Sequence, residues 1–182
     1  IVKKLNSIND MTTNNDIYQF PLSFSQQQLW FLNQLAPNDI AYNICSTLLI
    51  EGELNLKSLQ DSITALVQRH EILRTVFVDC NNHPVQQINE VLDLTVTEWE
   101  SVNIDEARAT LRGVNDEPFN LSTGPLLRID LLKLTNKTYW LNFCVHHIIA
   151  DGWSVSIIIK EISILYQYFN RHSYGPLVPT LA

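Results

Sequence analysis

From Phe24 onward the chain switches between two hydrophobic periods, and each switch marks an element. Leu29, Trp30, Leu32 and Leu35 recur at helical spacing behind Ser23 and Ser25, either of which can cap a helix that Pro37-Asn38-Asp39 ends. Tyr42 to Glu51 is β-branched and apolar and closes on Gly52, the signature of a strand. Leu56, Leu59, Ile63, Leu66 and Val67 form one stripe with Lys57, Gln60, Asp61 and Gln68 off it, which predicts an amphipathic helix to about His70. Arg74 to Asp79 and Pro84 to Ile88 read as strands around the turn-prone Asn81-Asn82, and Leu94 to Trp99 as a further strand. Asp105 to Asn115 reads as a helix. Leu126 to Leu134 and Thr138 to Val145 flank Thr135-Asn136-Lys137 as a β-hairpin. Ser154 to Asn170 then forms a helix that is apolar on most sides, while residues 1–20 show neither period and read as a linker or arm. No internal repeat is visible. Interleaved helices and strands with at least one hairpin predict an α+β class, a mixed β-sheet covered by helices.

Composition narrows the possibilities. Apolar residues make up 46% of the 182 and charged residues 17%, against roughly 25% charged in an average soluble domain, so apolar surface exceeds what the charge can cover. Abundant Leu, Ile, Val and Phe exclude disorder, and 5 Gly with 7 Pro exclude a low-complexity chain. Twelve Lys+Arg against 19 Asp+Glu give a net charge of −7, the wrong sign for binding phosphate backbones, so no nucleic-acid partner is expected. Lys160 and Glu161 interrupt the longest apolar run before it reaches the roughly 18 residues of a membrane span. The stretch behind Lys3-Lys4 is too polar for the core of a secretory signal. Cys45, Cys80 and Cys144 are too few and too scattered for a disulfide framework or a zinc cluster, and a reducing, cytoplasmic setting is expected. The length suits one domain with a sizeable core.

Candidate chemistry concentrates in His146-His147-Ile148-Ile149-Ala150-Asp151-Gly152-Trp153-Ser154, where a strand gives way to a helix. Strand alternation sends the two histidines in opposite directions and so gives them different tasks. The face that anchors His147 is expected to be apolar, which would keep its imidazole neutral and able to accept a proton. Asp151 can orient an imidazole, cap the following helix or pair with an arginine, and Gly152 permits close approach. The plainer alternative is one structural histidine plus a helix cap. Two others are a zinc site from His146, His147 and Asp151 and a Cys144/His146 dyad, but adjacent strand residues diverge and a free cysteine is more often an inert hydrophobe.

Two further segments bear on these alternatives. Ser25-Gln26-Gln27-Gln28-Leu29-Trp30-Phe31-Leu32, Arg69-His70-Glu71-Ile72-Leu73-Arg74-Thr75-Val76-Phe77 and the His146–Trp153 stretch occur in this order and spacing. From Pro21 to Asn170 the chain thereby resembles the N-terminal lobe of the condensation domains of nonribosomal peptide synthetases, within the chloramphenicol acetyltransferase-like superfamily. The last stretch matches that family's HHxxxDG motif and the second its RHExLRT motif. The first motif departs from the family's usual Ala-Gln and following Arg, so no role tied to that Arg transfers.

The resemblance implies a chloramphenicol acetyltransferase-like lobe and amide formation between carrier-bound acyl and aminoacyl thioesters. It makes His147 the catalytic residue, pairs Asp151 with an arginine for which Arg74 is the expected partner, makes His146 and Trp153 supports of the loop, and puts Gly152 beside the reacting thioester. Without it, Arg69 and Arg74 read as a solvated helix-end charge and a strand-edge charge. No metal is implied, and no cofactor is held directly: phosphopantetheine arms come with donor and acceptor carrier proteins. The other implied partner is a second lobe. Residues 1–20 then form an arm, 21–173 the lobe, and 174–182 the start of a crossover to that second lobe, so the lobe alone is expected to be inactive. A neighbouring lobe would also help cover the apolar last helix. Competing readings are a coenzyme A-dependent acyltransferase of the same superfamily, a non-catalytic carrier-binding lobe, and a related epimerisation domain.

Overall fold

The computed structural model describes residues 18–81, 83–101, 103–170 and 180–181. The elements run β1 (Tyr18–Pro21), α1 (Phe24–Leu35), β2 (Asn43–Glu51), α2 (Leu56–Arg69), a 3-10 turn (Glu71–Arg74), β3 (Thr75–Cys80), β4 (His83–Ile88), β5 (Thr97–Glu100), α3 (Ile104–Asn115), β6 (Leu127–Thr135), β7 (Thr138–His146), α4 (Gly152–Phe169) and β8 (Thr180–Leu181). The expected single sheet is two. One has three strands in the order β1-β4-β3, and the other has five in the order β5-β6-β7-β2-β8. Only β5–β6 is parallel among their pairings, so the larger sheet is mixed, as expected.

Register in the larger sheet sorts residues by face. Leu48, Leu141 and Leu131 lie in one cross-strand row, and Ser46, Phe143 and Ile129 in the next. This apolar face joins the stripes of α2 (Leu59, Ile63, Leu66, Val67) and α4 (Val155, Ile158, Ile162, Tyr166) in one core. Each such side chain removed from water contributes about 1.5–3 kcal/mol, so the strand and helix periods share a single hydrophobic driving force. The opposite face carries the apolar row Leu49–Trp140–Leu132 and then, toward His146, the rows Thr47–Asn142–Asp130 and Cys45–Cys144–Arg128, with Asn43–His146 at the end. There Asn142 donates to Asn115 Oδ1 at 2.8 Å and accepts from Thr47 Oγ1 at 3.0 Å, tying the end of α3 to the sheet.

Caps set the helix starts. Ser23 and Gln26 form a reciprocal capping box on α1, and Asn55, Asn103 and Asp151 accept from first-turn amides of α2, α3 and α4. Asn81, at φ 55°, makes the β3–β4 turn, which an asparagine tolerates in the left-handed region.

Some expectations change. Phe31 and Leu32, expected to be mainly core packing, are exposed, and α1 buries no residue fully; Leu29 and Trp30 do pack against the core. On the last helix, for which the expected cover is the lobe's own sheet plus a neighbouring lobe, Trp153, Ile157, Ile164, Tyr168 and Phe169 are exposed. The arm reading for residues 1–17, the lobe's residues 171–173 and all of the 174–182 crossover except 180–181 lie outside the described residues, whereas residues 18–20, read as the end of the arm, belong to strand β1. Cys45 and Cys144, 99 residues apart, face each other across β2 and β7 as a single disulfide link, which chain separation had concealed. Cys144 therefore points at Cys45 and not into a dyad with His146.

Candidate active site

β7 ends at His146, and the loop that follows carries His147 before α4 opens at Gly152. Backbone bonds lock this loop from three sides: His146 N–H donates to Leu126 O at 3.0 Å, His147 N–H to Tyr42 O at 2.8 Å, and Ile149 N–H to His146 O at 3.1 Å. Ile148, Ile149 and Ala150 are buried, so the main chain is held while the His147 side chain projects into solvent.

The apolar shielding expected around His147 falls on His146, because the strand ends one residue before His147. His146 is 2% exposed; burial, with a smaller contribution from the neighbouring His147, pushes its pKa down to about 4. Its Nδ1 accepts from Ile148 N–H at 3.1 Å, so the neutral ring carries its proton on Nε2. Phe119 meets the ring edge-on at 6.1 Å, and Tyr42 lies tilted at 6.3 Å.

Asp151 caps α4. Its Oδ1 accepts from Ser154 Oγ at 2.6 Å and Ser154 N–H at 2.8 Å, and these bonds hold its carboxyl below the ordinary range. The expected Arg74–Asp151 pair is not formed. Arg74 instead donates to Asn89 O and lies 3.5 Å from Glu71, closing the end of the β3–β4 sheet. Arg69 Nε sits 3.9 Å from Glu161, whose carboxylate also meets His70 Nε2 at 2.7 Å; the second motif thus ties the end of α2 to α4. Gly152 has open space where a Cβ would sit, so nothing within the lobe requires glycine there. Trp153 is 78% exposed.

Sequence reasoning missed Gln26, Asn43, Phe119 and Arg128. Gln26 Nε2 reaches Ile148 O at 3.4 Å and Gln86 Oε1 at 3.1 Å, so the first motif touches the His147 loop. Arg128 had a visible signal, a cation two residues before Asp130 inside the mostly apolar run from Leu126 to Leu132; Phe119 had none.

Among the described residues, no group of three or more His, Cys, Asp or Glu converges as a metal site, and no helix is long and apolar enough to cross a membrane. What remains is a solvent-facing imidazole on a rigid loop, suited to accepting or guiding a proton.

Comparison with known proteins places the chain in a family. A family model described as Condensation domain matches residues 17–179. One of the linear gramicidin synthase proteins of Brevibacillus parabrevis is 38% identical over 164 residues, covering 84% of this chain and 2% of that protein. Surfactin synthase subunit 2 of Bacillus subtilis (strain 168) is 43% identical over 148 residues, covering 81% and 4%. The chain therefore spans a few per cent of the curated relatives it matches. The starter condensation domain of the rhizomide synthetase RzmA has the same fold, with a TM-score of 0.80 at 24% identity over 87% of this chain and 40% of that one. The X-domain and OxyB complex from teicoplanin biosynthesis gives 0.79 at 22% identity over 94% and 37%. Because the family model runs from before β1 to beyond α4 and its fold recurs in a solved condensation domain, the chain belongs to the condensation domain family.

Proposed function

We propose that this chain is the N-terminal half of a peptide-bond-forming condensation domain, with His147 as its catalytic residue. The observation that carries the reading is His147 itself: an exposed imidazole on a loop whose backbone is bonded and whose next three side chains, Ile148, Ile149 and Ala150, are buried. In the reaction, the amine of an acceptor aminoacyl group attacks the carbonyl of a donor thioester. The C–N bond forms, the C–S bond breaks, and the amine proton leaves by way of His147 to the departing thiolate, giving an amide and a thiol. Both acyl groups arrive on phosphopantetheine arms of carrier proteins, so no cofactor is held directly.

A thioester is already activated, so alignment of the two arms dominates. Proximity is worth on the order of 7–11 kcal/mol, whereas a positioned base gives roughly 10²–10⁴-fold. Asp151 fixes the start of α4, and His146 fixes the His147–Ile148 peptide. Arg69 and Arg74 serve at a distance, through α4 and the smaller sheet. Gly152 and Trp153, with no partner requiring them inside the lobe, face the substrates or a second lobe. Exposed Phe24, Phe31 and Leu35 on α1, with Trp153 and Ile157 on α4, also suit a covered surface. Residues 21–173 are this lobe, and 174–182 begin the crossover.

The test uses the sequence extended through a second lobe, with two loaded carrier proteins. Amide product is expected with carrier-bound donor and acceptor, and none from the lobe alone. Equal turnover of a coenzyme A thioester with a free amine would instead make it a carrier-independent acyltransferase, and carrier binding without product a scaffold.

A further inference from the structure

We propose that Arg128 is a positioning residue for the His147 site: stacked on Phe119, it holds that ring against His146 and so fixes the loop from which His147 projects. Its effect on rate rests on the catalytic reading of His147; its effect on the loop does not.

Arg128 sits on the Asp130 face of β6, opposite Cys144 and so two residues from the position of His146 on β7. Its guanidinium carbon lies 3.9 Å from the Phe119 ring centroid. Nη2 donates to Glu117 O at 2.7 Å and Nη1 to Pro118 O at 3.4 Å, with the Glu117 carboxylate 4.0 Å away. One planar cation thus grips both the backbone before Phe119 and the face of its ring, a task the flexible point charge of lysine cannot perform. From the other side, Asn43 Nδ2 donates to Asn115 O and Glu117 O, each at 2.9 Å. The segment 115–119 is therefore strapped across the end of the sheet, and buried Phe119 ends the strap edge-on against His146. His146 in turn accepts the Ile148 N–H, which belongs to the peptide joining His147 to Ile148. The chain of contact is continuous from guanidinium to the backbone of the exposed imidazole.

Two readouts test this. In the present chain, R128M is expected to speed hydrogen exchange of the Ile148 amide at least about tenfold and leave the core Leu141 amide unchanged. F119L, which keeps an apolar side chain there, should do the same if R128M folds poorly. Unchanged Ile148 exchange, or equal acceleration at Leu141, overturns the proposal, the latter by making Arg128 a group of general stability. In the complete two-lobe domain, R128M should lower kcat about tenfold with acceptor KM within about threefold, and R128K should not restore it. Full activity in R128M, or full rescue by lysine, contradicts the positioning role. If His147→Ala retained turnover, the catalytic reading would fall while the Ile148 measurement still decided the role of Arg128 in the loop.

Discussion

Two adjacent histidines with the same ordinary chemistry end in opposite environments, and the difference is one residue of strand. Pairing of β7 with β2 reaches His146 opposite Asn43 and stops, so His146 is boxed by Phe119 and Tyr42 while His147 turns out. The consequence is a pH dependence. The unfolded chain protonates His146 below about pH 6.5, but the fold resists doing so until about pH 4. Stability should therefore fall as pH drops through that window, by up to about 1.4 kcal/mol per pH unit, and this group should contribute no slope above it. His146→Asn, whose side-chain oxygen can still accept the Ile148 amide, should flatten the slope in urea midpoints measured at either end of the window. Divergence of the histidines was legible in the motif and strand alternation, but which one would be buried was not, because that depends on Phe119, 27 positions earlier and unmarked in sequence. In place of the Arg74–Asp151 pair, Asp151 accepts from Ser154 while Arg74 donates to Asn89 O and lies beside Glu71.

Elements were more legible than contacts, because periodicity and caps act within a few residues. α2 begins where its stripe begins, with Asn55 as cap, and a hairpin turn at 136–137 joins β6 and β7 as the alternation implies. Assignment of strands to sheets was hidden, since β3 and β4 carry the same alternation as the larger sheet and yet pair with each other and, through β4, with β1. An apolar stripe also does not announce its partner. The stripe on α2 meets α4 and the sheet, and Leu66, 0% exposed, is expected to cost about 3 kcal/mol when replaced by alanine, read from denaturant unfolding. On α1 the same kind of residue stays in solvent, so Phe31→Ser in this chain should change stability by no more than about 0.5 kcal/mol. A loss comparable to that at Leu66 would mean that Phe31 is packed.

At the scale of the molecule, low charge and abundant apolar surface coincide with exposed aromatic and aliphatic side chains on α1 and α4. Family and fold were legible because three motifs occur in order, and none of the three carries substrate identity. Covering that face with a second lobe should lower the exposed apolar area without altering the lobe, so the hydrogen-exchange pattern of β2, β6 and β7 should match in the isolated chain and in the complete domain. Everything converges on His147, a solvent-facing imidazole whose removal takes away no buried contact. The decisive measurement is the single-turnover rate of amide formation by the complete two-lobe domain with both carriers loaded, with His147 intact and as His147→Ala. A catalytic His147 requires a loss of about 10²-fold or more with an unchanged unfolding midpoint, and a near-normal rate in the alanine variant would rule that role out.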